Sequence, residues 1–384
     1  MDIDRRFPCI AFMETAARRR IPRFAWDYMA DGIGRERVLA ENIERLDRVK
    51  LTPRYLAADA DKPDSSHELF GVNYAAPFGV APLGLGGLVW PRAAEHLATA
   101  AKNNCLPFAL SGFATSSIEQ IGAIGGDSWY QHYATIDKDI NSDMLKRARG
   151  AGFEVLIITV DIPTATRRDN NIRNGLSVPP KFDLRTLLDI GRHPAWALAM
   201  LRHGVPEFLS LKPYLPQNMS LAEQGVHLEK LIDCHVSLAQ LQWYRQQWPG
   251  KLIVKGILDV DEAVACVEIG VDAIAVSNHG GRQLDAAETA IDVLPRIRVA
   301  VGGNIPLLAD GGIRCGLDIA RYLASCADFV LLGRAFMFAL GAIGAAGAGH
   351  AMSVLQDELR ATLGQLGCPE IKRLPEFLSI KHAY

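Results

Sequence analysis

From Phe78 onward, short apolar and β-branched runs alternate with longer stretches in which apolar side chains recur every three or four residues, the pattern of strand–helix units around a parallel sheet. The runs that read as strands are Phe78 to Ala81, Phe108 to Leu110, Trp129 to Tyr133, Val155 to Val160, Leu252 to Val254, Ala273 to Val276, Pro306 to Ala309 and Phe329 to Leu332. Most are apolar at nearly every position, as a strand buried on both faces requires. Asp261 to Ile269 and Gly316 to Ala324 carry helical periodicity between them. Eight units favour closure into an α/β fold of the (β/α)8 barrel type over an open doubly wound sheet. Residues before Phe78 read as helix followed by an irregular cap over one barrel end. No linker marks a second domain, so one domain over residues 1–384 is expected, with the barrel at about 78–350.

One connection breaks this rhythm. Ile162 to Lys251 stands where a loop of a few residues is usual, so residues at about 172–225 are read as an insertion after the fourth barrel strand. Within it, Phe182 to Leu211 mixes Leu187, Leu188, Ile190, Trp196, Leu198, Met200, Leu201, Phe208 and Leu209 with Lys181, Arg185, Arg192 and Arg202. That combination suits a membrane interface. The alternative is a lid or an oligomer contact packed on the barrel.

Composition narrows the function classes. Hydrophobic residues are 49% of the 384 and charged ones 22%, enough apolar side chain for a sizeable core. A formal net charge of -2 gives no field suited to a phosphate backbone, which argues against nucleic acid as a partner. Seven cysteines are scattered, with no C-x-x-C and no clustering with histidine, as expected for reduced thiols and no metal site. The N-terminus is charged and broken by Pro8, unlike a signal peptide, and no uncharged apolar run reaches a membrane span. A cytoplasmic chain is expected, with the insertion as its candidate attachment to the inner face of the cell membrane.

In a parallel barrel, chemistry sits at the C-terminal strand ends. This sequence places polar residues there: Ser111 after the second strand, Gln131 and Tyr133 on the third, Thr159 and Asp161 on the fourth, Lys255 after the fifth, and Ser277, Asn278 and His279 after the sixth. Gln131 with Tyr133, and Thr159 with Asp161, are spaced by two and point to one side of their strands. The seventh strand ends in Asp310, Gly311, Gly312, Ile313 and Arg314, the eighth in Gly333 and Arg334. Glycines that let backbone N–H groups approach an anion, with an arginine beside them, form the usual barrel phosphate site, so a phosphorylated cofactor or substrate is implied. Lys255 beside it would stabilise negative charge developing on an electron-rich ring. His279 can accept a proton near neutral pH, and Arg282 can hold a carboxylate in fixed orientation.

These residues resemble the FMN-dependent L-2-hydroxy acid oxidase and dehydrogenase family, which includes glycolate oxidase, L-lactate dehydrogenase and mandelate dehydrogenase. The resemblance runs from about Ile21 to the C-terminus through WDYMADG (26–32), GVAPLGL (79–85), TVD (159–161) followed by RRD (167–169), VKG around Lys255, SNHGGRQLD (277–285), DGGIR (310–314) and LGR (332–334). It implies FMN as cofactor, lined by Pro82, Leu83, Gly84, Ser111, Gln131, Thr159, Lys255 and Ser277, with Asp310, Gly311, Gly312, Arg314, Gly333 and Arg334 on its phosphate. It further implies that Tyr28, Arg168 and Arg282 engage the substrate carboxylate, that Tyr133 meets the hydroxyl, and that His279 takes a proton while Asp161 stabilises the imidazolium. A homotetramer is the common assembly of the family.

Leu83 stands where several relatives carry threonine, and Gly84 and Ala165 are small, which suggests room for a bulkier or aromatic acid. The insertion resembles that of bacterial membrane-associated dehydrogenases, which implies electron transfer to a quinone or another carrier. The alternatives are a soluble oxidase that makes H2O2 from O2, a non-redox phosphate-binding barrel enzyme, and a binding scaffold.

Overall fold

The computed structural model describes residues 2–56, 63–164, 166–176, 183–216, 223, 227–228, 230–232, 235–303 and 305–379. Ala165, Lys181, Phe182, Cys234 and parts of the insertion lie outside the described residues.

The barrel strands are β3 (Phe78–Val80), β4 (Phe108–Ser111), β5 (Ser128–His132), β6 (Val155–Thr159), β7 (Lys251–Ile257), β8 (Ala273–Val276), β9 (Leu307–Asp310) and β10 (Phe329–Leu332). All pair in parallel with their sequence neighbours, and β10 closes onto β3. The eight runs are the barrel, with small boundary shifts. The largest is in β7, which extends past Val254 to Ile257 through an irregularity between Lys255 and Ile257.

Continuous apolar runs have a simple cause here. Alternate residues of each strand, among them Ala109, Trp129, Ile157, Ile253, Ala275, Leu308, Phe329 and Leu331, fill the interior, while Leu110, Tyr130, Ile158, Val254, Ile274 and Val330 face the surrounding helices. Both faces are dry, so neither can be polar.

Between strands run α5 (Ala93–Asn103), α6 (Ile118–Gly122), α7 (Lys138–Gly150), α11 (Leu238–Gln247), α12 (Val260–Ile269), α13 (Ala290–Val301) and α14 (Gly316–Ala324), followed by α15 (Arg334–Ile343) and α16 (Ala345–Leu366). The N-terminal segment forms α1 (Ile3–Arg6), α2 (Ile10–Arg20), α3 (Arg23–Ala30) and α4 (Arg37–Arg48). After it, where an irregular cap is expected, comes an antiparallel hairpin of β1 (His67–Leu69) and β2 (Val72–Tyr74). Its two-residue turn, Phe70-Gly71, has both φ values positive, the geometry tight hairpins favour. Three-residue strands are too short to show a period. Leu69 and Tyr74 pack into the interior cluster and close the N-terminal end of the barrel.

After β6 comes α8 (Asp169–Arg173), which leads into the insertion, whose described part holds α9 (Leu184–Arg192) and α10 (Pro194–His203). Its apolar residues divide. Trp196 is buried, edge-on to Phe24 of α3 and donating its indole N–H to the Leu88 carbonyl at 3.0 Å. Leu184, Leu187, Leu188, Leu198 and Leu201 are exposed. No helix among the described residues is long and apolar enough to cross a membrane. The six described cysteines are free thiols.

Candidate active site

The alternation that places Trp129 and Ile157 inside the barrel runs on to the C-terminal ends of the strands, where the next inward positions are Ser111, Gln131, Thr159, Lys255, Asp310 and, just past β8, Ser277. All six are buried. Above them opens a cavity of about 410 Å³ lined by Tyr28, Pro82, Leu83, Gly84, Tyr133, Arg168, Lys255, His279, Arg282, the Asp310–Arg314 loop, Gly333 and Arg334. The residues singled out from sequence thus converge on one mouth or lie directly beneath it.

On its wall, His279 Nδ1 lies 2.8 Å from Asp161 Oδ1. Asp161 is buried. Burial alone would raise its pKa, but the charges of His279 and Lys255 and the hydrogen bond from His279 outweigh this and hold the carboxyl below its usual range. His279 has φ 58°, a left-handed conformation uncommon for histidine, and its backbone N–H donates to Ser277 Oγ at 3.0 Å. Gly256 is required beside it: a Cβ there would lie 2.5 Å from the Asp161 Cβ.

Lys255 Nζ donates to Ser277 Oγ at 2.8 Å and pairs with Asp310 Oδ2 at 2.9 Å, while Ser277 Oγ donates to Asp310 Oδ1 at 2.6 Å. Burial favours a neutral lysine, but Asp310 and Asp161 outweigh it and raise its pKa. This arrangement differs from the expectation that Asp310 belongs to the phosphate group of residues. Its carboxylate is committed to Lys255, and a carboxylate facing a phosphate would be repelled.

The arginines also hold a surprise. Arg282 donates from Nη1 to the Met29 and Asp31 carbonyls (3.3 and 3.1 Å) and from Nη2 to the Tyr28 carbonyl (2.9 Å). Arg334 donates to the carbonyls of Met29, Asp31 and Gly280 at 2.8 to 3.2 Å. Carbonyls at a helix C-terminus lack intrahelical partners and carry partial negative charge. Two arginines therefore cap α3, and α3 fixes their orientation. Arg334 reaches toward α3 rather than forming a free phosphate clamp with its side chain. Arg282 keeps unused donors for a ligand. Burial and the nearby Arg168 push Arg282 down to about 10, and burial with repulsion from Arg282, Arg314 and Arg168 lowers Arg334 well below its usual value. Anions would relieve this crowding of guanidinium groups.

Several contributors were not legible. Phe113 lies in the turn after β4, beyond the reach of the strand register; its ring is 4.7 Å from Tyr133. Phe208 comes from the insertion, 5.6 Å from Phe113, and nothing in the local pattern marks it. Asn42 of α4 exchanges two amide hydrogen bonds with Asn278 (2.8 and 3.1 Å) and its carbonyl would lie 2.4 Å from a Cβ at Gly312.

Comparison with known proteins agrees with this geometry. The family model for FMN-dependent dehydrogenases matches residues 17–380. An L-lactate dehydrogenase of Haemophilus influenzae (strain PittEE) is 39% identical over 350 residues, 91% of each chain, and one of Caulobacter vibrioides (strain NA1000 / CB15N) is 37% identical over 363 residues, 94% of each. Among solved structures, that of the monotopic membrane protein (S)-mandelate dehydrogenase superposes with a TM-score of 0.91 at 32% identity, covering 97% of this chain and 98% of that one. A mandelate oxidase structure gives 0.82 at 31% identity over the same shares. A barrel whose mouth gathers a His–Asp pair, a buried lysine and crowded arginines, in a chain that this family matches nearly end to end, leads to one conclusion: it belongs to the FMN-dependent dehydrogenase family, and FMN is its cofactor.

Proposed function

We propose that the chain oxidises an L-2-hydroxy acid to the 2-keto acid, with His279 as the base, and delivers the electrons to a quinone or another carrier at a membrane surface. The observation that carries the reading is the 2.8 Å contact of His279 with Asp161 on the wall of the cavity that Arg168 and Arg282 also line.

The residues present fit FMN. Gln131 Nε2 and Thr159 Oγ1 are buried without a hydrogen-bond partner among the described residues, as donors awaiting a polar ring would be. Ser111 Oγ donates to Gln131 Oε1 at 3.0 Å, which leaves Nε2 for such a ring. Pro82, Leu83, Gly84, Lys255 and Ser277 complete that side. Gly311 and Gly312, with φ 103° and 78°, would present backbone N–H groups to the phosphate, with Gly333 and Arg314 beside it and Arg334, whose side chain is tied to α3, adding its charge. When bound, FMN supplies a two-electron acceptor that a second reactant reoxidises.

The side chains do the rest. Arg168, Arg282 and Tyr28 would hold the substrate carboxylate, and Tyr133 its hydroxyl. Burial, then the Asp161 charge, raises the Tyr133 pKa, so the phenol stays a donor. Asp161 keeps a proton on His279 Nδ1, which leaves Nε2 to take the substrate's proton, and the carboxylate then stabilises the imidazolium. Phe113, Phe208 and Ile162 line an apolar wall, and Gly84 adds no side chain to it, which, within the lactate- or mandelate-like class, supports an acid whose group is bulkier than the lactate methyl.

Exposed Leu187, Leu188, Leu198 and Leu201 beside Arg185, Arg192 and Arg202 support peripheral attachment at the inner face of the cell membrane. The deciding experiment is an anaerobic absorbance titration with a panel of L-2-hydroxy acids. At least one should bleach the flavin; if none does, the reading fails. Stoichiometric peroxide in air would favour the oxidase alternative.

A further inference from the structure

We propose that Asp31 and Asn170 are positioning residues whose hydrogen bond holds Arg168 against the substrate carboxylate. The proposal rests on the reading of Arg168 as a substrate ligand.

Asn170 Nδ2 donates to Asp31 Oδ2 at 2.7 Å, and Asn174 Nδ2 donates to Asp27 Oδ2. Asp27 lies in α3 and Asp31, four positions on, is its C-cap residue; Asn170 lies in α8 and Asn174, four positions on, is its C-cap residue. Each pair shares a helix edge, so two carboxylates meet two amides in a ladder between the helices. Arg168 is the N-cap residue of α8, and its carbonyl accepts the Ile172 N–H at 3.1 Å. Whatever fixes α8 therefore fixes the Arg168 backbone. The Arg168 guanidinium lines the cavity and makes no hydrogen bond of its own among the described residues. Its placement has to come from the segment that carries it.

Local energetics do not explain a carboxylate at position 31. It follows the last turn of α3, where the helix dipole disfavours negative charge. Burial pushes its pKa up to about 6; the Asn170 hydrogen bond opposes the rise, Asp27 and Glu36 add to it, and Arg282 opposes it. A carboxylate kept in so unfavourable a place is explained by what it holds. The same turn offers its carbonyls to Arg282, so one helix end orients both guanidinium groups that would grip the substrate.

The test uses the FMN-loaded full chain and the acid that bleaches wild-type flavin most readily. Electrostatics and positioning have opposite signs here. Asp31 repels an incoming carboxylate, so losing its charge alone lowers the half-saturation concentration, whereas losing the latch raises it. Asp31→Ala is expected to raise it about tenfold, with the limiting bleaching rate within about twofold. Asn170→Ala, which changes no charge, should give the same rise. Asp31→Asn keeps an accepting oxygen and should stand at or below wild type. Amide hydrogen exchange over residues 166–176 in the substrate-free holoenzyme should quicken in both alanine variants and not in Asp31→Asn.

Unchanged or lowered half-saturation in both alanine variants overturns the proposal, as does a rise in Asp31→Asn equal to that in Asp31→Ala. Should Asp31→Ala fail to fold, Asn170→Ala decides by the same criteria. Wild-type flavin that no acid bleaches would instead overturn the functional reading, and with it Arg168's role. Normal bleaching with unmoved variants removes the latch alone.

Discussion

At the N-terminal end of the barrel, Trp129 and Phe329 lie 6.0 Å apart between ring centres, with Tyr74 5.6 Å from Phe329. The Trp129 indole N–H donates to Asp127 at 2.9 Å, and the Tyr74 hydroxyl donates to the same carboxylate. One buried side-chain atom there, His67 Nδ1, lacks a partner among the described residues. At the C-terminal end of the same strands, Gln131, Thr159, Asp161 and Gln283 each leave one unpartnered. There too His279 holds a left-handed backbone and like-charged arginines crowd together. The two ends share strands and register, so the contrast lies in the side chains and in the loops that carry them. One end satisfies all but one of these buried atoms from within the protein; the other is left to be completed by what it binds.

That contrast can be broken or sharpened by substitution. The largest effect is expected at the mouth: His279→Ala should lower turnover by at least about 10²- to 10⁴-fold while the protein keeps its flavin absorbance, as steady-state assay and a spectrum would show. Near-normal turnover would remove His279 as the base. At the closed end, Phe329→Ala should cost about 3–5 kcal/mol in denaturant unfolding yet leave the half-saturation concentration of the folded fraction unchanged. A change in substrate affinity there would mean that the two ends are not separable.

A smaller cost is expected from Gly312→Ala, which forces a side chain at φ 78° to within 2.4 Å of the Asn42 carbonyl. A loss of about 1–3 kcal/mol in stability, with weaker FMN retention on gel filtration, is the outcome to look for. The smallest concerns Asp31. Its pKa is raised when folded, so its contribution to stability declines as pH rises from its unfolded value of about 4 to about 6 and is level above that. Asp31→Asn removes this decline. Relative to wild type it should therefore melt slightly higher at pH 7.5 than at pH 4, by well under about 1 kcal/mol because the group is partly solvated. An opposite sign would mean that the ionised carboxylate stabilises the fold.

Most of the fold and much of the site could be read from the chain because both are local consequences of strand register. A strand buried on two faces announces itself as an unbroken apolar run, and the first polar residue after it must lie at the barrel rim. Gln131 with Tyr133, and Thr159 with Asp161, share a side for that reason alone. Asp161 and His279 could be assigned to one mouth before any contact was known. The hairpin at the closed end was missed because three-residue strands carry no period, and Phe208 because an insertion has no register to count from.

The sequence by itself determined the barrel, its polar rim and the glycines of the anion loops, since each depends on neighbours a few positions away. Tertiary structure alone decided that Asp310 turns to Lys255, that Arg282 and Arg334 cap the end of α3, and that Asn170 meets Asp31. Those contacts join residues 55 to 303 positions apart. Their side chains take whichever partner the packing of distant helices brings within reach, and no periodicity along a chain records that.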